Sequence, residues 1–177
     1  MISLSLLLVY TILGKDKLIR NTVRGDTNRG GGQYDPENNI LTFDPLVGVE
    51  HINDDQMGKN ISDQKGNGKA TSPASIFLHE AGHFLNYRND YEGSSVLFEI
   101  EDKLFTNLEE RRVIRDVENP FAAKKSGNGE SPRTNHGGIP STFSSPTSTK
   151  PTGVTPAIRR QIAVEKAIKE AIKGNKN

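Results

Sequence analysis

The run SPASIFLHEAGHFLNYR, residues 72 to 88, constrains this chain more than any other segment. Ser72 is a good N-cap, and Pro73 stands where the first helical turn has no use for an N–H. Ile76, Phe77, Ala81, Phe84 and Leu85 then supply enough apolar surface for a central helix. On such a helix His79 and His83, four residues apart, lie one above the other on the same face. Two imidazoles can therefore meet one ion. Glu80 is rotated from His79 by about 100° and reaches the edge of the same site, where it can hydrogen-bond a water at the ion. Two ligands followed by a general base is the HExxH arrangement. Two unrelated surface histidines are the plainer alternative, and the capped helix with its apolar flank argues against it.

The chain has no Cys, so a metal must be held by His, Asp, Glu or water. A catalytic zinc takes three protein ligands and keeps one position open. The third ligand must come from another element, and the candidates are His51, His136, Glu109 and Glu110. Helical spacing separates the two glutamates. Glu110 shares a face with Val113, Ile114 and Val117, an apolar and therefore inward face. Glu109 shares its face with Arg112 and Asp116, which points to solvent. A carboxylate on a buried stripe needs a partner, and a metal ion would be one. Glu110 is thus the expected third ligand, with Glu109 in reserve. A salt-bridged glutamate at a helix N-terminus is the plainer reading of Glu110.

The 177 residues are only 33% hydrophobic and include 17 Gly. One compact domain fits, provided that part of the chain stays outside its core. A net charge of +1 argues for neither a nucleic-acid surface nor an acidic partner. The apolar run MISLSLLLVYTIL is too short to span a bilayer as a helix. No basic residue precedes Lys15, and Ile12-Leu13-Gly14 is a poor cleavage site for a signal peptide. A buried first element, a degenerate signal, or a chain that begins inside a longer gene product all fit residues 1–14. Residues 20–38 read as turn-rich, with Gly30 to Gly32 a flexible turn because no GK[ST] follows. NILTF (39–43) reads as a strand closed by Asp44-Pro45, and 52–72 as an exposed loop. Residues 96–105 are ambiguous between strand and helix. A second helix is expected from about Asn107 to Glu118, stopped by Asn119-Pro120. The Ser/Thr/Pro-rich stretch 140–156 reads as a flexible linker. It leads to an amphipathic helix with six Lys/Arg against two Glu from residue 157 onward. That helix is either docked or solvated, or else binds a partner or a membrane surface.

Together SPASIFLHEAGH, NLEERRVIRDVENPFA and GNGESPRTNHGG resemble the NleD-type effector zinc metallopeptidases. These are toxin domains found at the ends of bacterial Rhs-like polymorphic proteins. The resemblance runs from Ile40 to Gly138 and includes LTFDP (41–45). HExxH alone is shared by many peptidases. The ordered series of HExxH, a downstream glutamate, a Glu-Asn pair and an Arg-x-x-His or Arg-x-x-Tyr is more specific. The resemblance implies a compact α+β zincin-like domain, its small sheet packed on the HExxH helix; the domain is placed at residues 1–139, followed by the linker 140–156 and the helix 157–177, which have no counterpart in the family. It implies Zn2+ held by His79, His83 and Glu110, with Glu80 as general base. It also draws attention to Glu118, Asn119, Arg133 and His136. Many relatives carry Tyr where this chain has His136, and either side chain can donate to a developing oxyanion. Arg133 could do the same or bind a substrate carboxylate; capping a helix end or pairing with Glu118 is the alternative. Relatives often have a larger aliphatic residue at Ala81 and a small one at Phe84, changes that compensate in volume.

The expected activity is hydrolysis of a peptide bond in a target protein by a secreted or delivered effector, with a protein or peptide as substrate and a cognate immunity protein as a possible partner. No nucleic-acid partner and no integral membrane segment are expected. LTF (41–43) is the candidate edge strand to which an extended substrate would add. The rival readings are a non-catalytic metal-binding or partner-binding module, and a hydrolase acting on a non-peptide amide.

Overall fold

The structure, a computed structural model, describes residues 18–21 and 31–174. The alternatives for residues 1–14 lie outside the described residues. The chain mixes helix and small sheets in an α+β arrangement. β1 (Leu18–Asn21), β2 (Gly32–Asp35) and β3 (Ile40–Phe43) form one sheet in the order β1-β3-β2. β3 pairs in parallel with β1 and antiparallel with β2. The predicted strand at 39–43 is present, but it is the middle strand. β1 and β2 are the edges, so LTF is not a free edge; both of its sides are already paired. β2 also lies inside the segment read as turns.

The period-2 alternation of β3 buries Leu41 and Phe43. They pack on Phe77, Ala81 and Phe84 of α1 (Pro73–Asn89), with Tyr34, Leu78 and Leu85 at the margin. Phe43 and Phe77 meet at 4.7 Å between ring centroids. The start of α1 is the one the sequence predicts: Ser72 is extended and its hydroxyl accepts from the Ser75 N–H.

A second, all-antiparallel sheet has the order β5-β4-β8-β9. It comprises β4 (Val47–His51), β5 (Ala70–Thr71), β8 (Gly138–Phe143) and β9 (Pro151–Val154). Eight of the 17 residues of the expected linker 140–156 are therefore sheet. Composition misled because Ser141 and Thr142, polar as they look, are buried beside Phe143. Their backbones pair with β4, and Thr142 also hydrogen-bonds Thr152 and the Gly153 carbonyl. β-branched Thr suits a strand as well as a linker.

α2 (Tyr91–Glu99) follows α1 after an Asp90 cap, and residues 101–107 form a hairpin of β6 (Glu101–Asp102) and β7 (Thr106–Asn107). Next comes α3 (Leu108–Val113), capped by Asn107. It does not stop at Glu118. It passes through a π turn, Ile114–Glu118, into α4 (Asn119–Lys124). Pro120 cannot continue α-helical hydrogen bonding, and the wider π turn directly before it is where that bonding is interrupted.

The terminal helix α5 (Pro156–Gly174) docks by the face that carries Ile158, Ile162, Glu165 and Lys169. Ile158 and Ile162 pack on Ile52 and Ile139. Glu165 accepts from the Ser62 N–H at 2.8 Å, and Lys169 donates to Asp63 at 2.6 Å. Val164, Ile168 and Ile172 remain exposed. No helix among the described residues is long and apolar enough to cross a membrane.

Gly31 joins the two sheets. Its φ of +92° is a left-handed conformation, and a Cβ there would lie against the Val47 carbonyl oxygen. Its own carbonyl accepts from Asp44 N at 2.7 Å. Gly31→Ala is expected to destabilise the fold by at least about 2 kcal/mol. Urea unfolding checks this, and a loss below about 0.5 kcal/mol would show that the turn relaxes freely.

Candidate metal centre

Two helices build the site. Gly82 lets α3 and its π turn approach α1, because a Cβ at Gly82 would come within 3.0 Å of Val113 and 3.1 Å of Val117. At that separation His79 and His83 face the start of α3. His79 Nε2 and His83 Nε2 lie 3.1 Å apart. Glu110 Oε2 is 2.9 Å from the first and 3.1 Å from the second. Three ligand-type atoms from His79, His83 and Glu110 thus converge on one point and could hold a metal ion. Their spacing is close to the edge of about 3.3 Å expected for a tetrahedron with bonds of about 2.0 Å. Two neutral-capable imidazoles and one carboxylate suit a borderline divalent ion.

The other nitrogen of each ring is held as well. His79 Nδ1 is 3.0 Å from Glu118 Oε2, and His83 Nδ1 is 3.4 Å from Glu109 Oε1. A metal-binding imidazole usually has its far N–H fixed in this way by a carboxylate. Both carboxylates are buried, at 0% exposure for Glu109 and 1% for Glu118. Glu109 also accepts from Asn86 at 2.9 Å and pairs with Arg112 at 2.5 Å. Glu118 accepts from Thr71 at 3.1 Å and from Arg133 at 3.4 Å.

Glu109 is thus not the solvent-facing residue that helical spacing implies. The face it shares with Arg112 is covered, since Arg112 reaches the buried Ser94 of α2 at 2.7 Å. Glu110, read as the inward residue, is the more open of the two and points at the histidines.

The charges are strongly coupled. Burial disfavours protonating His79, but hydrogen bonds to Glu110 and Glu118 outweigh it and raise its pKa to about 10. His83 is likewise penalised by burial and raised to about 9 by Glu109 and Glu110. Burial pushes Glu110 up, yet the two histidines hold it far below the usual carboxylate range. Glu118 is held at about 2 against its burial, mainly by Arg133 and His79.

Glu80 stands apart from the ligand cluster. It lies against β2, where a Cβ on Gly32 would sit 2.7 Å from Glu80 Cγ, and it accepts from the Tyr34 backbone N–H. Burial raises its pKa, and the charges of His79 and His83 oppose that. A carboxylate with raised proton affinity beside a cluster that could hold a metal suits proton transfer.

His136 lies on the other side. Its ring stacks on His79 at 5.7 Å, and its Nε2 is 3.3 Å from Glu110 Oε2. Burial, opposed by Glu110 and aided by Arg133, lowers its pKa to about 4, so the ring is neutral at pH 7. Arg133 is buried, pairs with Glu118 and donates to the His136 carbonyl at 2.5 Å. Asn119 clamps the Arg133 backbone through both its amide atoms, at 2.7 and 3.0 Å. Arg133 therefore makes the contacts of the alternative reading, the Glu118 pair, and its guanidinium faces protein groups. His51 is not at the cluster; its Nε2 meets Thr71 Oγ1 at 2.8 Å.

Sequence reasoning missed the roles of Glu109, Thr71, Asn86 and Gly32. Only Gly82, inside HEAGH, carried a readable signal of close helix approach. The chain matches no family model, no curated protein and no solved structure.

Proposed function

We propose that the chain is a zinc-dependent metalloendopeptidase of zincin-like fold, acting on a target protein as a secreted or delivered effector in the manner of the NleD-type peptidases it resembles. The observation that carries the reading is the pairing of His79 and His83 on one acceptor-lined point, each ring backed by its own buried carboxylate, with Glu80 left outside the ligand set. A purely structural site has no use for an adjacent, non-ligating base.

When bound, zinc would supply a Lewis acid that polarises the scissile carbonyl and acidifies water. The residues do the rest. The Tyr34 backbone N–H that meets Glu80 lies on β2, an edge strand of its sheet. An extended substrate adding along that edge would bring its scissile bond between Glu80 and the histidines. Glu80 removes a proton from the attacking water and returns it to the leaving amine. His136, neutral and 3.3 Å from Glu110, donates from Nε2 to the oxyanion that develops on the carbonyl.

Elemental analysis of the purified chain tests the metal, with about one zinc per chain expected. No metal after zinc is supplied would sink the reading. Replacing His136 by Phe is expected to lower turnover by about 10²-fold and to leave zinc content unchanged. Loss of zinc in that variant would instead make His136 a ligand. Zinc bound tightly with no proteolysis of any proteome-derived peptide pool would favour a non-catalytic module.

A further inference from the structure

Charge is unevenly spread along this chain. Of 23 Lys/Arg and 22 Asp/Glu, six and two lie from residue 157 onward, leaving 17 against 20 before it. A near-neutral total thus hides a basic C-terminal segment on an acidic body, an asymmetry that suits contact with a polyanionic surface. Two charged side chains of α5 are spent on docking, Glu165 on the Ser62 N–H and Lys169 on Asp63. Arg159, Arg160, Lys166 and Lys173 are exposed, against the single exposed acid Glu170. Among the described residues, Lys169–Asp63 is the one ion pair that α5 makes to the body.

The same helix leaves an apolar stripe uncovered. Val164, Ile168 and Ile172 recur every four residues and share one face over about 12 Å. They are 59, 54 and 54% exposed. Ala167 and Ala171, also exposed, flank them. The stripe lies about 90° round the helix from the docked face of Ile158, Ile162, Glu165 and Lys169. Arg160 stands one turn before Val164, at the head of the stripe. Arg159, Lys166 and Lys173 fall on the opposite, polar side.

These two features together select the occupant. A second copy would bring two basic helices together, and like charges oppose that. A nucleic acid would meet the cations but leave the aliphatic stripe in water, and α5 has no aromatic side chain on which a base could stack. A protein partner is usually gripped by an aromatic anchor that fills a pocket, and a row of three aliphatic side chains offers none. An anionic lipid surface fits both features. Aliphatic side chains enter the boundary between headgroups and acyl chains, while Lys and Arg stay at the headgroups. We propose that α5 is an interfacial helix, which lays Val164, Ile168 and Ile172 on an anionic membrane surface and holds the domain there without spanning the bilayer. The helix stays docked while it does so, because the stripe and the docked face are separate. Membrane binding of this kind does not depend on peptidase activity.

Co-sedimentation of the full chain with lipid vesicles tests this. With phosphatidylcholine vesicles containing about one-third phosphatidylserine, most of the chain is expected in the pellet at about 0.1 M salt. Binding should fall at least about tenfold with pure phosphatidylcholine, or at about 0.5 M salt. Ile168→Asp sets a charge in the middle of an exposed stripe. It should leave the unfolding midpoint unchanged and lower vesicle binding at least about tenfold. Changing Arg160, Lys166 and Lys173 together to Gln should remove the preference for phosphatidylserine. A chain that stays in the supernatant with both vesicles would overturn the proposal. So would an Ile168→Asp variant that binds as wild type does, or equal binding to pure phosphatidylcholine. Binding to soluble polyglutamate but not to vesicles would give the stripe to an acidic protein instead. A dimer abolished by Ile168→Asp, with no vesicle binding, would give it to a second copy.

Discussion

If the chain is the metallopeptidase proposed, replacing Glu80 by Gln is expected to lower turnover by about 10²–10⁴-fold, the range for removing a general base, and to leave metal binding unchanged. The substitution is nearly isosteric, and the new amide oxygen can still accept from the Tyr34 N–H that Glu80 accepts from now. What it cannot do is take a proton. The metal should be unaffected because Glu80 is not among the three residues whose ligand atoms converge. Measured turnover and zinc content together make the prediction sharp. Activity that survives in Glu80→Gln removes Glu80 from the role of base. A fall in zinc content alongside activity would put its carboxylate among the ligands. Gly32 bears on the same residue from the strand side, since any larger residue there would press on Glu80 Cγ.

The HExxH half of the site was legible because an α-helix turns a spacing of four into a shared face, whatever surrounds it. The start of α1 was legible for the same local reason, a Ser-Pro cap. The third member of the cluster was legible only in part. Glu110 does meet the histidines, but helical spacing alone gives α3 a single buried face. It is covered on two, by α1 and through Arg112 by α2, and so the fully buried glutamate is Glu109. A single helix period cannot report a second neighbour. The linker reading of 140–156 failed for a related reason. β8 is ordered by hydrogen bonds to β4, nearly a hundred residues earlier, and the polar side chains of Ser141 and Thr142 conceal that. The continuation of the helix past Pro120 depends on a π turn that propensities do not describe.

Glu110→Ala is expected to lose the metal, while Glu109→Gln weakens it. Glu110 supplies the only carboxylate oxygen within reach of both Nε2 atoms among the described residues, and alanine offers nothing in its place. Glu109 acts one bond further out, by orienting His83 through Nδ1, and changes to such outer partners cost about 10–100-fold in metal affinity. Gln keeps an acceptor for the His83 N–H and avoids leaving a void beside Arg112. Zinc titration against a competing chelator ranks the two variants, and the opposite ranking would exchange their roles. The same charges set a pH dependence. With His79 raised to about 10 and His83 to about 9, protons compete with the ion for the rings at pH 7. Affinity should therefore climb as pH rises from 7 toward 9, with release of at least one proton per ion. Calorimetry in buffers of different ionisation enthalpy counts them. A count of zero would mean that the rings are already neutral at pH 7 and that Glu109 and Glu118 orient them without raising their proton affinity.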